Sequence, residues 1–284
     1  YELIKQHKQI TVEDQIEFAQ RSNMAMIPCR FPYQPTLSQI NATWTKGTPP
    51  HVDVPFLSDH LDLFDRFVRA TRGTQGRIVG DFRGIVADTL RIYKNLATMD
   101  NAIEETVLDD IADELLRYQT KVVQLVCDRF AGELAFVIFS DDLADNDGLR
   151  LPPDKFDRLF SERIKHLMHP AKEHHLKTVL YSNGKLDTLP PLIQQLGFDG
   201  LYIAQPECCN LATLNKNNNG KLSILGGIPV SALIDGTSLD HIQALDTLFE
   251  ANGGYVAGVS SDINDDIPVE NYLSYINTLS YSTN

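Results

Sequence analysis

From about residue 130 to the end, short apolar β-prone runs alternate with longer amphipathic stretches, and this alternation limits the fold more than any other feature of the chain. The runs are Leu134–Phe139 (LAFVIF), Lys177–Tyr181 (KTVLY), Gly200–Ile203 (GLYI), Lys221–Leu225 (KLSIL) and Gly254–Ala257 (GYVA). Each is apolar almost throughout rather than at every second residue. That pattern implies burial on both faces, as in a parallel sheet covered by helices. The stretches between them, Pro153–His174, Leu186–Leu196, Ser238–Ala251 and Val269–Leu279, read as helices. Two carry start signals: Thr237-Ser238 supplies an N-cap after Gly236, and Pro268 suits a first helical turn. A repeated β-α-β-α order is the signature of an α/β fold.

The rhythm is looser before residue 130. Thr11–Arg21 reads as a helix, Met24–Cys29 (MAMIPC) as a strand, and Leu57–Thr71 as a helix with an apolar stripe. Arg77–Phe82 (RIVGDF) follows as a strand, then helices over Thr89–Leu96 and Ala102–Asp128. These make seven strands, with a weak eighth at Val52–Phe56 interrupted by Pro55. Eight would close a barrel, and a barrel needs about 250 residues, which 284 supply. The reading is one domain over residues 1–284, an α/β (β/α)8 TIM barrel, incomplete or distorted near its N-terminus. Phe31–Pro50, rich in Pro, Thr and Asn, reads as a long irregular loop, and the start at Tyr1 rather than Met leads us to expect residues upstream.

Charge narrows the partners. Lys plus Arg number 25 against 38 Asp plus Glu, a formal net charge of -13, and no basic run occurs. Nucleic acid is therefore not an expected partner, because phosphate neutralisation supplies most of that affinity. A small anionic substrate remains compatible, since a few arginines inside a pocket reverse the local sign. No apolar run reaches the roughly 18 residues of a membrane span, and YELIKQHKQI has no signal-peptide core. Cys29, Cys127, Cys208 and Cys209 show no disulfide-framework spacing and read as free thiols of a cytoplasmic protein.

In a β/α barrel the site lies at the C-terminal ends of the strands, so the polar residues after each apolar run are the candidates. These are Arg30; Asp81 and Arg83; Ser140, Asp141 and Asp142; Ser182 and Asn183; Gln205 and Glu207; and Ser260, Ser261 and Asp262. Arginine is a fork for carboxylates, and the mixture suits a small polar or carboxylate-bearing ligand. Each candidate also has a plain structural reading. Asp141-Asp142 serves equally as a turn or helix-start pair, and Arg30 and Arg83 as surface cations. Asp141, Asp145, Asp147 and Gly148 lack calcium-loop spacing, and no Glu follows at the twelfth position. Lys216–Gly220 (KNNNG) reads as a turn, Gly226-Gly227 lacks any phosphate-loop context, and His166, His169, His174 and His175 read as helix surface.

Four phrases carry a family resemblance: Ala131–Phe156, Val179–Glu207, Leu222–Thr237 and Gly253–Asn271. In order and spacing they resemble the uroporphyrinogen decarboxylase superfamily, over roughly half the chain. The superfamily includes the decarboxylases of porphyrin biosynthesis and the corrinoid-linked methyltransferases. The resemblance implies a β/α barrel and a homodimer. The zinc motif of the methyltransferase branch is absent: Tyr181–Asn183 stand where His-x-Cys would be, and Ser260-Ser261 where a further Cys would be. Cys208 and Cys209 do not by themselves complete a tetrahedral zinc site.

Against the decarboxylase branch, FRGIVADTLRIY (Phe82–Tyr93) resembles a motif that places Tyr93 at its tyrosine. FLSDHL (Phe56–Leu61) resembles another and places Asp59 at its aspartate, while Ser261 replaces a histidine. The resemblance thus implies a lyase that decarboxylates a tetrapyrrole or another carboxylate-bearing substrate with no metal and no cofactor. Asp59, Asp81 and Tyr93 are the expected catalytic residues. Arg30, Arg83, Asp141, Asp142, Ser182, Asn183, Gln205 and Ser261 are the expected substrate contacts. The alternatives are a zinc-less methyltransferase working with a corrinoid protein or folate-like partner, and a non-catalytic ligand-binding barrel.

Overall fold

The computed structural model describes residues 11–22, 24–30, 57–74, 76–99, 106–249, 255–260 and 263–281. Helix α1 (Val12–Arg21) opens on a capping box, with Thr11 and Asp14 satisfying each other's backbone N–H. Strand β1 (Met26–Arg30) follows, then α2 (Leu57–Thr71), β2 (Arg77–Arg83), α3 (Val86–Met99), α4 (Val107–Phe130) and β3 (Leu134–Ser140). A short antiparallel hairpin, β4 (Ala144–Asp145) with β5 (Gly148–Leu149), leads into α5 (Pro153–Phe156). A π-helical turn (Asp157–Ser161) joins α5 to α6 (Glu162–Glu173). The remainder is β6 (Thr178–Ser182), α7 (Pro190–Leu196), β7 (Gly200–Ile203), α8 (Leu211–Asn218), β8 (Ser223–Ile228), α9 (Val230–Ile234), α10 (Ser238–Phe249), β9 (Tyr255–Val259) and α11 (Val269–Tyr281).

Seven strands pair in parallel in the order β1-β2-β3-β6-β7-β8-β9, which is their order along the chain. The order never reverses, so every crossover steps the same way. Right-handed crossovers then place the helices on one side of the sheet, and twist curls it into a β/α barrel. The first and last described helices meet around the ring: Phe18 and Tyr272 stack at 5.9 Å, and the Tyr272 hydroxyl donates to Ser22 Oγ at 3.2 Å. The barrel is distorted. Strand β1 pairs directly with β2, so no strand stands between them, and the expected eighth strand at Val52–Phe56 lies outside the described residues, as does the Phe31–Pro50 loop.

The core between sheet and helices is aromatic on one side. Phe64, Phe82, Phe139 and Phe198 form a chain with ring centroids 6.0–6.3 Å apart, reaching from α2 across β2 and β3 to the turn after α7. Three local features depart from the sequence reading. The expected helix Pro153–His174 is interrupted by the π turn, which adds a residue and buries Phe156, Leu159 and Phe160 together. The expected helix Leu186–Leu196 begins only at Pro190, where adjacent prolines set the first turn. Helix α8 runs into the Lys216–Gly220 stretch read as a turn: Asn210 caps it by accepting from the Thr213 N–H at 2.9 Å, and Asn219 and Gly220, with φ 50° and 67°, make the left-handed turn at its end.

Candidate functional site

Strand register brings the first candidates together. Arg30 pairs with Asp81 across β1 and β2, and Arg83 pairs with Ser140 across β2 and β3. Side chains alternate along a strand, so these residues share the face opposite Phe82 and Phe139, which lie in the helix-facing core. That face is the inside of the barrel. Asp81 is 4 % exposed there. Its Oδ2 accepts from Arg30 Nε at 2.7 Å and its Oδ1 from Ser140 Oγ at 2.7 Å. The Arg30 side chain is 63 % exposed at the mouth. One buried carboxylate with an exposed guanidinium beside it is the central feature of the mouth.

The other arginine is committed elsewhere. Arg83 Nε and Nη2 hold both oxygens of Asp88 at 2.9 and 3.0 Å, and Arg91 joins them from the same helix. Asp88 is buried in the first turn of α3, so Arg83 ties the end of β2 to the start of that helix.

Asp141 is also structural. Its Oδ2 accepts from the backbone N–H of Ile85 and Val86 at 2.9 and 2.8 Å, and its Oδ1 from Ala87 at 2.8 Å. These are donors that a helix start leaves without intrahelical partners, so Asp141 caps α3 from the end of β3. Burial pushes its carboxyl up to about 6 against the opposing pull of those N–H groups. Of the two readings open for the Asp141-Asp142 pair, Asp141 takes the helix-start role.

Asp142, Ser182, Asn183 and Gln205 form a second group on the rim beside the β4–β5 hairpin. Asp142 Oδ1 accepts from both the backbone N–H and Nδ2 of Asn183 at 2.9 Å. Arg150 Nη2 stands 3.8 Å from Asp142 Oδ2, and its Nε donates to the Ala144 carbonyl at 3.2 Å. Buried Ser182 accepts from the Leu143 N–H at 3.1 Å and so fixes the loop after β3. Gln205 Oε1 accepts from the Gly184 N–H at 3.1 Å. An open polar pocket of ≈ 350 Å³ lies among Asp145, Asn146, Arg150, Asn183 and Gln205. Cys208 and Cys209 border it: one thiol donates to Asn146 Oδ1 at 3.3 Å and the other to the Gly184 carbonyl at 3.4 Å.

The β6–β9 side of the interior is filled by tyrosines. Tyr181 and Tyr202 pack with ring centroids 5.1 Å apart, and the Tyr202 hydroxyl donates to the Val259 carbonyl at 2.7 Å. Gly226, at φ +79°, makes room: a β-carbon there would stand 2.6 Å from the Tyr202 ring. Burial pushes the Tyr202 hydroxyl's pKa upward, so it stays a donor. The strand-end rule missed Tyr202 and Arg150. A usable signal existed for the first, because glycines of β8 and β9 stand where a large inward ring needs space.

One further candidate, on α3, does not join these groups. Tyr93 sits about 10 Å along α3 from its start, by helix rise, and packs against the core outside the sheet. Asp59 belongs to α2, its side chain outside the described part, and Ser261 lies outside the described residues. Among the described residues no three His, Cys, Asp or Glu side chains are placed to hold a metal ion. No described helix is long and apolar enough to cross a membrane.

No protein-family model matches the chain, and no curated protein matches it. Solved structures do. A methyltransferase from Methanosarcina mazei superposes with a TM-score of 0.65 at 14% identity, over 97% of this chain and 87% of that one. A D-psicose 3-epimerase gives 0.53 at 7% identity over 96% and 92%. The AHE enzyme from Alicyclobacillus herbarius gives 0.50 at 10% over 87% and 76%. At these identities the likeness is one of fold, and the fold is the β/α barrel.

Proposed function

We propose that the chain is a cofactor-independent lyase that binds a carboxylate-bearing small molecule at the barrel mouth and removes CO2 from it. The single observation that carries this reading is Asp81: a buried carboxylate on the inner face, held between exposed Arg30 and Ser140. The resemblance to the uroporphyrinogen decarboxylase superfamily supports the choice of reaction, with a pyrrole acetate as the type of substrate.

In that reaction a proton adds to a ring carbon, and the ring becomes cationic. The C–C bond to the carboxylate then breaks, its electron pair neutralises the ring, and CO2 leaves. A second proton converts the exocyclic carbon to a methyl group while the ring proton is released, so one proton is consumed per CO2. Asp81 stabilises the cationic ring, and its position out of water makes that stabilisation stronger than in solvent. Arg30 is the group a substrate carboxylate meets first, with Ser140 keeping Asp81 in orientation. Arg83 and Asp141, held by Asp88 and by the start of α3, act through the scaffold.

The test is anaerobic turnover of uroporphyrinogen with products separated by their number of carboxylates. Stepwise carboxylate loss, abolished by Asp81→Asn, is the expected result. No turnover at high enzyme concentration would remove that substrate. The fold likeness to a methyltransferase favours a second reading, methyl transfer with a corrinoid or folate-like partner, and complex formation with a corrinoid protein would then replace the first.

A further inference from the structure

We infer that the rim pocket is a subsite of its own, which binds a neutral, hydroxyl-bearing small molecule or group and rejects carboxylates. This goes beyond the lyase reading and does not rest on it. Two amide side chains have their orientation fixed by bonds already made. Gln205 presents Oε1 to the Gly184 N–H, so the other end of its amide, Nε2, is a donor with no partner among the described residues. Asn183 presents Nδ2 to Asp142, so its Oδ1 is an acceptor with no partner among them. Both line the same ≈ 350 Å³ pocket. A donor and an acceptor offered together match a hydroxyl, which accepts with a lone pair and donates its proton.

The surrounding charge decides against an anion. Asp145, Asp147 and Arg150 line the pocket, so two acidic residues stand there against one basic residue. The Arg150 guanidinium is already drawn to Asp142 and the Ala144 carbonyl. A carboxylate ligand entering here meets net negative charge, whereas at Arg30 it meets an exposed cation. The volume is that of a small-molecule subsite. Asp81 stands on β2 and Asn183 just beyond β6, two strands away, so the subsites are separated by roughly 10 Å at about 4.8 Å per strand.

The experiment is 1H–15N NMR titration of the whole chain with myo-inositol and D-glucose as neutral probes and succinate as the anionic probe. The neutral probes are expected to shift the Gly184, Asn183 and Gln205 amide resonances saturably, and succinate is expected to leave them in place. Gln205→Glu keeps an oxygen for the Gly184 N–H but replaces the Nε2 donor. It should weaken the neutral probes roughly tenfold, the worth of one hydrogen bond. Asp81→Asn should leave that binding unchanged, so loss of turnover and loss of rim binding are separable failures. The inference is overturned if neither neutral probe shifts these resonances in the wild-type protein. Succinate shifting the same resonances, or unchanged probe affinity in folded Gln205→Glu, would overturn it equally.

Discussion

Gly84 and Asp141 share a space that admits one side chain: a β-carbon built on Gly84 would stand 2.1 Å from Asp141 Oδ2. The absence of a side chain at 84 is what lets the end of β3 reach the start of α3. Gly84→Ala must therefore push the carboxylate away from the N–H groups of Ile85, Val86 and Ala87. Leaving such donors unsatisfied costs about 1–3 kcal/mol each when none is recovered by water. We expect a net loss of about 3 kcal/mol in urea unfolding. An unchanged midpoint would show that Asp141 does not cap the helix.

At the opposite end of the barrel, Asp199 ties three elements together. It accepts from Lys172 Nζ at 2.6 Å, Lys177 Nζ at 3.0 Å and the Thr178 N–H at 2.9 Å. Partial burial alone would raise its pKa, but the bonds from Lys172, Thr178 and Lys177 outweigh it and hold the carboxyl down at about 2. Because the folded value lies below the ordinary 3.8, the stabilisation is present above about pH 4 and is lost as pH falls through 2. Solvent screening reduces the full linkage value to about 1 kcal/mol. Asp199→Asn should thus be less stable than wild type by that amount at pH 6, with the two unfolding curves converging towards pH 2. A constant gap over that range would mean the carboxylate charge contributes nothing.

Tyr202 and Gly226 make a second steric pair, on the far side of the interior. Gly226→Ala brings a β-carbon 2.6 Å from the Tyr202 ring at a left-handed φ of +79°, so two costs add. The backbone part is about 1–2 kcal/mol and persists whatever stands at 202. Tyr202→Phe should cost about 1 kcal/mol through the lost bond to the Val259 carbonyl. The double variant Gly226→Ala with Tyr202→Leu should recover the clash with the Tyr202 ring, leaving the backbone strain and the 2.9 Å approach to the Ile203 carbonyl. Thermal unfolding of wild type, Gly226→Ala, Tyr202→Leu and the double variant as a double-mutant cycle gives the coupling, and a coupling near zero would refute the contact.

The parts legible in the sequence are those set by local pattern. Continuous apolar runs such as LAFVIF and GLYI locate inner strands because burial on both faces leaves no polar position, and the strand-end rule then places Arg30, Asp81 and Ser140 at one mouth. Partners were less visible. The Asp141 contacts reach residues 54 to 56 positions earlier, a relation created by the β2–β3 register and by Gly84. Asp88 lies only five residues from Arg83, yet the sequence shows a strand-end cation and not its direction. Helix α8 was hidden because its stability comes from Asn210 at its start and from Asn218, whose side chain bonds both backbone groups of Leu222, rather than from an apolar stripe.

The two arginines at the mouth should respond differently to the same substitution. Arg30 is mostly exposed and touches Asp81, whereas Arg83 is bound through two nitrogens to buried Asp88. With uroporphyrin as a polycarboxylate probe, Arg30→Ala should weaken binding by about 1.5–3 kcal/mol, the range of a charge-assisted hydrogen bond. Arg83→Ala should leave the probe's affinity unchanged within error while lowering stability by about 1–3 kcal/mol, because a buried carboxylate loses a partner and Arg91 is left as its cation among the described residues. Isothermal titration and urea unfolding of both variants separate the effects. If Arg83→Ala weakened the probe as much as Arg30→Ala without destabilising the fold, the assignment of Arg83 to the scaffold would fail, and the ligand would have to reach the start of α3.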